Sequence, residues 1–145
     1  MPARTRDRGP SKRERGKTMA ARQRIRAPDI PEHSQPFPAA VKIGNLLFSS
    51  ALGGVDPETQ ELPADKDAQI RNAFQNVRNV LEAAGAETAN IGKVTIYVAD
   101  RDDRKLINPH WIEMFPDEDD RPVRHTAEAT LPPGRCIQIE FIAVL

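Results

Sequence analysis

The stretch ADKDAQIRNAFQNVRNVLEAAG, residues 64 to 85, constrains the fold of this chain more than any other. Ile70, Ala73, Phe74, Val77, Leu81 and Ala84 recur at steps of three and four, whereas Gln69, Asn72, Gln75, Asn76 and Asn79 fall elsewhere. Such spacing lines the apolar side chains along one stripe of an amphipathic helix. Gly85 stands where that helix would stop. An apolar stripe has to be laid against something, and the neighbouring segments supply strands.

AVKIGNLLFSS (40 to 50) reads as two short strands around a Gly44-Asn45 turn. GGVDPETQE (53 to 61) is rich in turn formers and reads as a loop. In KVTIYVA (93 to 99), Val94, Ile96 and Val98 alternate with Thr95 and Tyr97, the period of a strand. A second helix is expected over 102 to 115, presenting Leu106, Ile107, Trp111, Met114 and Phe115. Two last strands, about 122 to 131 and 135 to 144, flank the turn LPPG. The order predicts an α+β fold, a mixed β-sheet with two helices on one face. In the final strand Ile137, Ile139, Phe141 and Ala143 point one way. Cys136, Gln138, Glu140, Ile142 and Val144 point the other. Helices cover only the first set, so the second face needs a cover of its own, and a homo-oligomer formed through the sheet is the economical one.

A chain of 145 residues suits one domain. Its formal charge is zero but unevenly spread, with ten Lys/Arg against two Asp/Glu in residues 1 to 26 and eleven against nineteen in the rest. The expected division is therefore a basic, disordered extension over 1–27 and a folded domain over 28–145. The arm has almost nothing apolar to bury, so ordering it would cost about 1–2 kcal/mol per residue with little return. No aromatic residue interleaves its charges to stack on bases, which argues against nucleic acid as a partner. Met19 offers an alternative start to the chain. Cys136 is the single cysteine and has no partner for an internal disulfide, and no apolar run nears the roughly 20 residues that cross a membrane. A soluble protein of a reducing, cytoplasmic compartment is expected. His33, His110 and His125 share no metal-ligand spacing, so no metal is expected.

KIGNLLFSS, DPETQEL, VLEAAGA, KVTIYVADRDD, INPHWIEMF, RPVRHT and QIEFIAVL follow one another in the order and spacing of a known family. Over residues 28 to 145 the chain resembles the RidA/YjgF family of enamine and imine deaminases. The resemblance implies a chorismate mutase-like fold, a homotrimer assembled around the sheets, and a pocket at each subunit interface. It implies hydrolysis of 2-aminoacrylate-type enamines and their imine tautomers to 2-keto acids and ammonia, without metal or cofactor.

A carboxylate substrate calls for a planar, permanently charged donor, and the arginine two places after a proline in the family motif matches Arg124. The other pocket positions implied by the resemblance are Phe37, Ser50, Ala51, Asn108, the carbonyl of Thr126, and Gln138. Phe37 stands for a family tyrosine, and Ala51 for a glycine whose N–H helps hold the carboxylate. Gln138 stands for the glutamate beside the attacking water. An amide orients water but takes no proton from it, so Gln138 and the unusual His125 put catalytic competence in question. Alternation places His125 on the strand face opposite Arg124. Trp111 reads as a core or interface anchor, PDEDD (116 to 120) as a solvated loop, and Cys136 as buried and inert. The rival to a deaminase is a non-catalytic trimer that senses a small keto or amino acid, or an RNA-binding protein acting through its basic arm.

Overall fold

The computed structural model describes residues 21–31 and 33–145. The sheet has six strands, β1 (Gln23–Arg24), β2 (Ala40–Ile43), β3 (Leu46–Ser49), β4 (Ile91–Val98), β5 (Val123–Glu128) and β6 (Ile137–Val144). Their spatial order is β1-β2-β3-β6-β4-β5. Every pairing is antiparallel except β4 with β5, which run parallel. Two helices, α1 (Lys66–Ala83) and α2 (Arg104–Met114), complete the α+β architecture.

The local signals act as their chemistry requires. Gly44 adopts φ +58 in the β2–β3 turn, a conformation that L side chains rarely tolerate. The Asp65 carboxylate caps α1 by accepting the Ala68 N–H at 2.9 Å, and Gly85, at φ +71, follows its last turn. The stripe of α1 buries Ile70, Phe74, Val77, Val80 and Leu81. Each such side chain taken from water contributes about 1.5–3 kcal/mol.

Off the apolar stripe, Gln69, Asn76 and Asn79 are buried as well. Their side chains are the fasteners of the loops that cross α1. Gln69 Nε2 donates to the carbonyls of Pro63 and Gly134, both at 2.8 Å, and Asn76 Nδ2 donates to those of Gly53 and Val55, both at 2.9 Å. Buried amides with carbonyl partners repay their desolvation, which hydrophobic periodicity cannot register.

Across the sheet the register sorts the two faces. Leu47, Ala143, Phe141, Val94, Ile139, Ile96, Ile137 and Val98 all turn to the buried side and pack with the helices. The other side stays uncovered, with Ile43, Leu46, Ile142, Val144 and Val123 between 37% and 66% exposed. Leu46 lies directly across from Val144, and Phe48 from Ile142, so the apolar patch is continuous across strands.

The sheet begins earlier than the expected domain boundary at residue 28. Gln23 and Arg24 pair with Lys42 and Val41, and Ile25 is buried, so the backbone ladder and core recruit residues assigned to the arm. The rest of the expected extension, residues 1 to 20, lies outside the described residues.

Candidate active site

Arg124 and Thr126 sit on β5 opposite Val94 and Ile96 of β4, so both turn toward the helix-covered side of the sheet. There the Arg124 guanidinium donates from Nη2 to Asn108 Oδ1 of α2 at 2.8 Å and lies 5.0 Å from the centre of the Trp111 ring. Asn108 and Trp111 are three residues apart on α2 and so share a face of that helix. A positive charge over an indole face is attracted by the ring quadrupole. Trp111 is itself anchored, 8% exposed and packed on Phe115 with ring centres 4.6 Å apart.

Among the described residues Arg124 forms no ion pair with a carboxylate. Partial burial, and then the positive charge of Arg104, press its pKa below the ordinary arginine value. It remains a cation at any physiological pH. A half-buried, oriented guanidinium with no described counter-charge has the geometry to receive an anion. Beside it, Thr126 Oγ1 is buried without a hydrogen-bond partner.

Ser50, Ala51 and Gln138 form a second group. The Ser50 hydroxyl donates to the Ala39 carbonyl at 3.1 Å, and the next residue, Ala51, is exposed. Leu52 bridges to Ile139 of β6, and antiparallel register then sets Ala51 and Gly53 beside Glu140 and Gln138. Ala51 does not take a positive φ, since Gln60 is the one described non-glycine residue that does, so alanine fits this position without strain. Gln138 lies across from Tyr97 on the uncovered sheet face, and His125, across from Thr95, is on that face too.

One chain does not unite the two groups. β5 is two strands from β6 and three from β3. At about 4.8 Å per strand, Arg124 stands on the order of 10 Å from β6 and 14 Å from β3, on the other side of the sheet from Gln138. Phe37 joins neither. It is 49% exposed and tilted against His33 with ring centres 4.5 Å apart. His33 does line a cavity of about 370 Å³ that also has Ser50, Ala51 and Arg135 in its walls.

Sequence reasoning passed over Arg135 and the carbonyl-holding role of Asn76. Arg135 was visible as a cation at the end of the LPPG turn, but nothing local pairs it with Gly53. Among the described residues no three His, Cys, Asp or Glu side chains are grouped to hold a metal ion, and no helix is long and apolar enough to cross a membrane. Cys136 is buried, and burial raises its pKa, with the nearby Asp103 charge acting the same way.

Comparison with known proteins matches residues 27–145 to the family described as Endoribonuclease L-PSP. A 2-iminobutanoate/2-iminopropanoate deaminase of Escherichia coli is 35% identical, the match covering 83% of this chain and 95% of that protein. A RutC family protein of Pasteurella multocida is 37% identical over 83% of this chain and 95% of its own length. Among solved structures, the YjgF gene product of E. coli superposes with a TM-score of 0.77 at 34% identity, over 84% of this chain and 98% of that one. E. coli TdcF with bound serine gives 0.78 at 30% identity, over 85% and 98%. The mixed sheet, the two helices and the near-complete coverage of these relatives agree, and the chain belongs to the RidA/YjgF family, described as Endoribonuclease L-PSP.

Proposed function

We propose that the protein is an enamine/imine deaminase that hydrolyses small reactive 2-imino acids to 2-keto acids and ammonia, in pockets formed between copies of a homotrimer. The guanidinium of Arg124, oriented by Asn108 and Trp111 and without a carboxylate partner among the described residues, carries this reading. Its fork matches a substrate carboxylate with two parallel N–H donors. Asn108 and Trp111 hold the fork before the substrate arrives, so little order is lost on binding.

The two half-sites call for a second copy. Arg124, Asn108 and Thr126 of one copy face Ser50, Ala51 and Gln138 of its neighbour, and the uncovered apolar sheet face supplies the association surface. Relatives named as 2-iminobutanoate/2-iminopropanoate deaminases support the same chemistry.

In this pocket the Ala51 N–H and Arg124 grip the carboxylate and set the imine carbon before a water. The water is held by the Gln138 amide and the Thr126 carbonyl. Water adds to the protonated imine carbon, forming the C–O bond while the C=N electron pair moves onto nitrogen. Gln138 orients the water without taking its proton. One proton passes instead to the new amino group; a lone pair of the hydroxyl oxygen then forms the C=O bond as the C–N bond breaks, and the hydroxyl proton leaves with the ammonia as ammonium, releasing the 2-keto acid. Electrostatic grip and orientation therefore supply most of the acceleration.

The test is keto-acid release when purified protein is added to a serine or threonine dehydratase reaction, with Arg124→Ala alongside. Faster release that disappears in the variant is expected. Equal rates with and without either protein would reject the deaminase and favour a non-catalytic binding trimer, the reading to which the amide at Gln138 lends itself.

A further inference from the structure

Among its described residues, the cavity beside Ser50 and Ala51 has one charged group that the deaminase chemistry does not use. Arg135 leaves the LPPG turn and runs its guanidinium over the backbone of Gly53. A Cβ placed on Gly53 would lie 2.9 Å from Arg135 Nη1, so the absence of a side chain there is what lets the guanidinium lie against the loop. The loop itself is fastened, since the buried Asn76 amide holds the carbonyls of Gly53 and Val55. Gln60, in the same cavity wall, is kept at φ 62, a left-handed conformation that L residues other than Asn and Asp seldom adopt.

Among the described residues no Asp or Glu lines the cavity, and Arg135 forms no ion pair with a carboxylate. A half-buried guanidinium laid against a fastened loop, with no carboxylate partner among the described residues, suits an anionic group.

We infer that Arg135 forms a second anion subsite in this cavity and that the substrate is a 2-imino acid whose side chain ends in a carboxylate. This inference rests on the proposed deaminase reading, in which Ala51 and Arg124 hold the 2-carboxylate. Ala51 lies at the cavity wall, so a side chain extending from the held carbon enters the space that Arg135 faces. Gly53 positions the guanidinium, and Arg135 sets specificity without touching the reacting atoms.

Two five-carbon imines that differ only in their tails provide the test, one released enzymatically from glutamate and the other from norvaline. The wild-type protein is expected to prefer the glutamate-derived imine in kcat/KM. Arg135→Gln should lower the ratio between the two by about 10- to 100-fold, the span of a lost hydrogen bond to a charged group. Gly53→Ala, which keeps the arginine but displaces it, should shift the ratio in the same direction. Binding of 2-oxoglutarate against 2-oxopentanoate, measured by calorimetry on the same proteins, separates this inference from the deaminase reading. Tighter binding of the dicarboxylate that is lost in Arg135→Gln supports the subsite even if neither imine is turned over. Turnover without preference, or equal binding of the two keto acids by wild type, overturns it and leaves the deaminase reading in place.

Discussion

Arg124 donates a 2.8 Å hydrogen bond to Asn108 Oδ1, tying the edge strand β5 to the middle of α2. The bond occupies one N–H of the fork and fixes the plane of the rest. Asn108→Ala leaves the charge and removes the orientation, so kcat/KM for imine hydrolysis should fall about tenfold, within the range of one hydrogen bond to a charged group. Arg124→Lys keeps the charge but loses both the fork and the planar contact with Trp111, and a larger fall, about 100-fold, is expected. Steady-state keto-acid assays on the two variants check the order. A lysine variant as active as wild type would mean that charge alone suffices.

Ile142 sits between Phe48 and Lys93 on the uncovered sheet face and is 39% exposed in the single chain. A glutamate there is solvated in a lone protomer but would be stranded in an apolar interface at a cost of several kcal/mol. Ile142→Glu should therefore reduce the mass seen by light scattering from three copies to one with the circular dichroism of the fold intact. Activity should vanish with the trimer, because the proposed pocket draws its two half-sites from different copies. An active monomer would reject the shared pocket.

Gln138→Glu restores a group able to take a proton from the attacking water. General-base assistance usually contributes 10²- to 10⁴-fold, and the neighbouring Glu140, also on the uncovered face, tempers it by like-charge repulsion. A rise of about tenfold in kcat is expected. It should be accompanied by a new acidic limb in the pH–rate profile as the carboxylate protonates. An unchanged rate and profile would show that Gln138 does not face the water.

Asp67 of α1 clasps His110 of α2, with Oδ1 3.0 Å from the ring Nε2, while its Oδ2 accepts from Arg71 at 2.7 Å. The His110 hydrogen bond is the main reason that the Asp67 pKa lies below its ordinary 3.8. A carboxyl whose folded pKa is depressed contributes stability that is fully present above the unfolded value and is lost as pH falls through the folded one. The melting temperature of wild type should thus exceed that of Asp67→Asn above about pH 4, with the gap closing at lower pH. Asp67 is 45% exposed, so screening by water keeps the gap small. A gap that widened on acidification would contradict the assignment.

The elements themselves were legible because burial on one side imposes a period, and the period is written locally. Ile137, Ile139, Phe141 and Ala143 alternate in the chain and are all buried in the fold, and the bare face predicted from Ile142 and Val144 is there. Arg124 was found through a short motif. Its partners Asn108 and Trp111, 16 and 13 residues earlier in the chain, meet it only because β5 pairs in parallel with β4 and α2 crosses between them. The burial of Gln69, Asn76 and Asn79 was not legible for a related reason. Their period is that of an exposed helix face, and their carbonyl partners belong to distant loops.

From sequence alone followed the helix stripe, the strand alternation, the hairpin at Gly44 and the need to cover one sheet face, since each depends on the side to which neighbouring residues point. Tertiary structure alone decided the rest. It separated Arg124 from Ser50, Ala51 and Gln138, admitted Gln23 and Arg24 to the sheet, and laid Arg135 against Gly53. Strand order and loop crossings join residues far apart in the chain, and those contacts are set by the packing energy of the whole core, which no local pattern records.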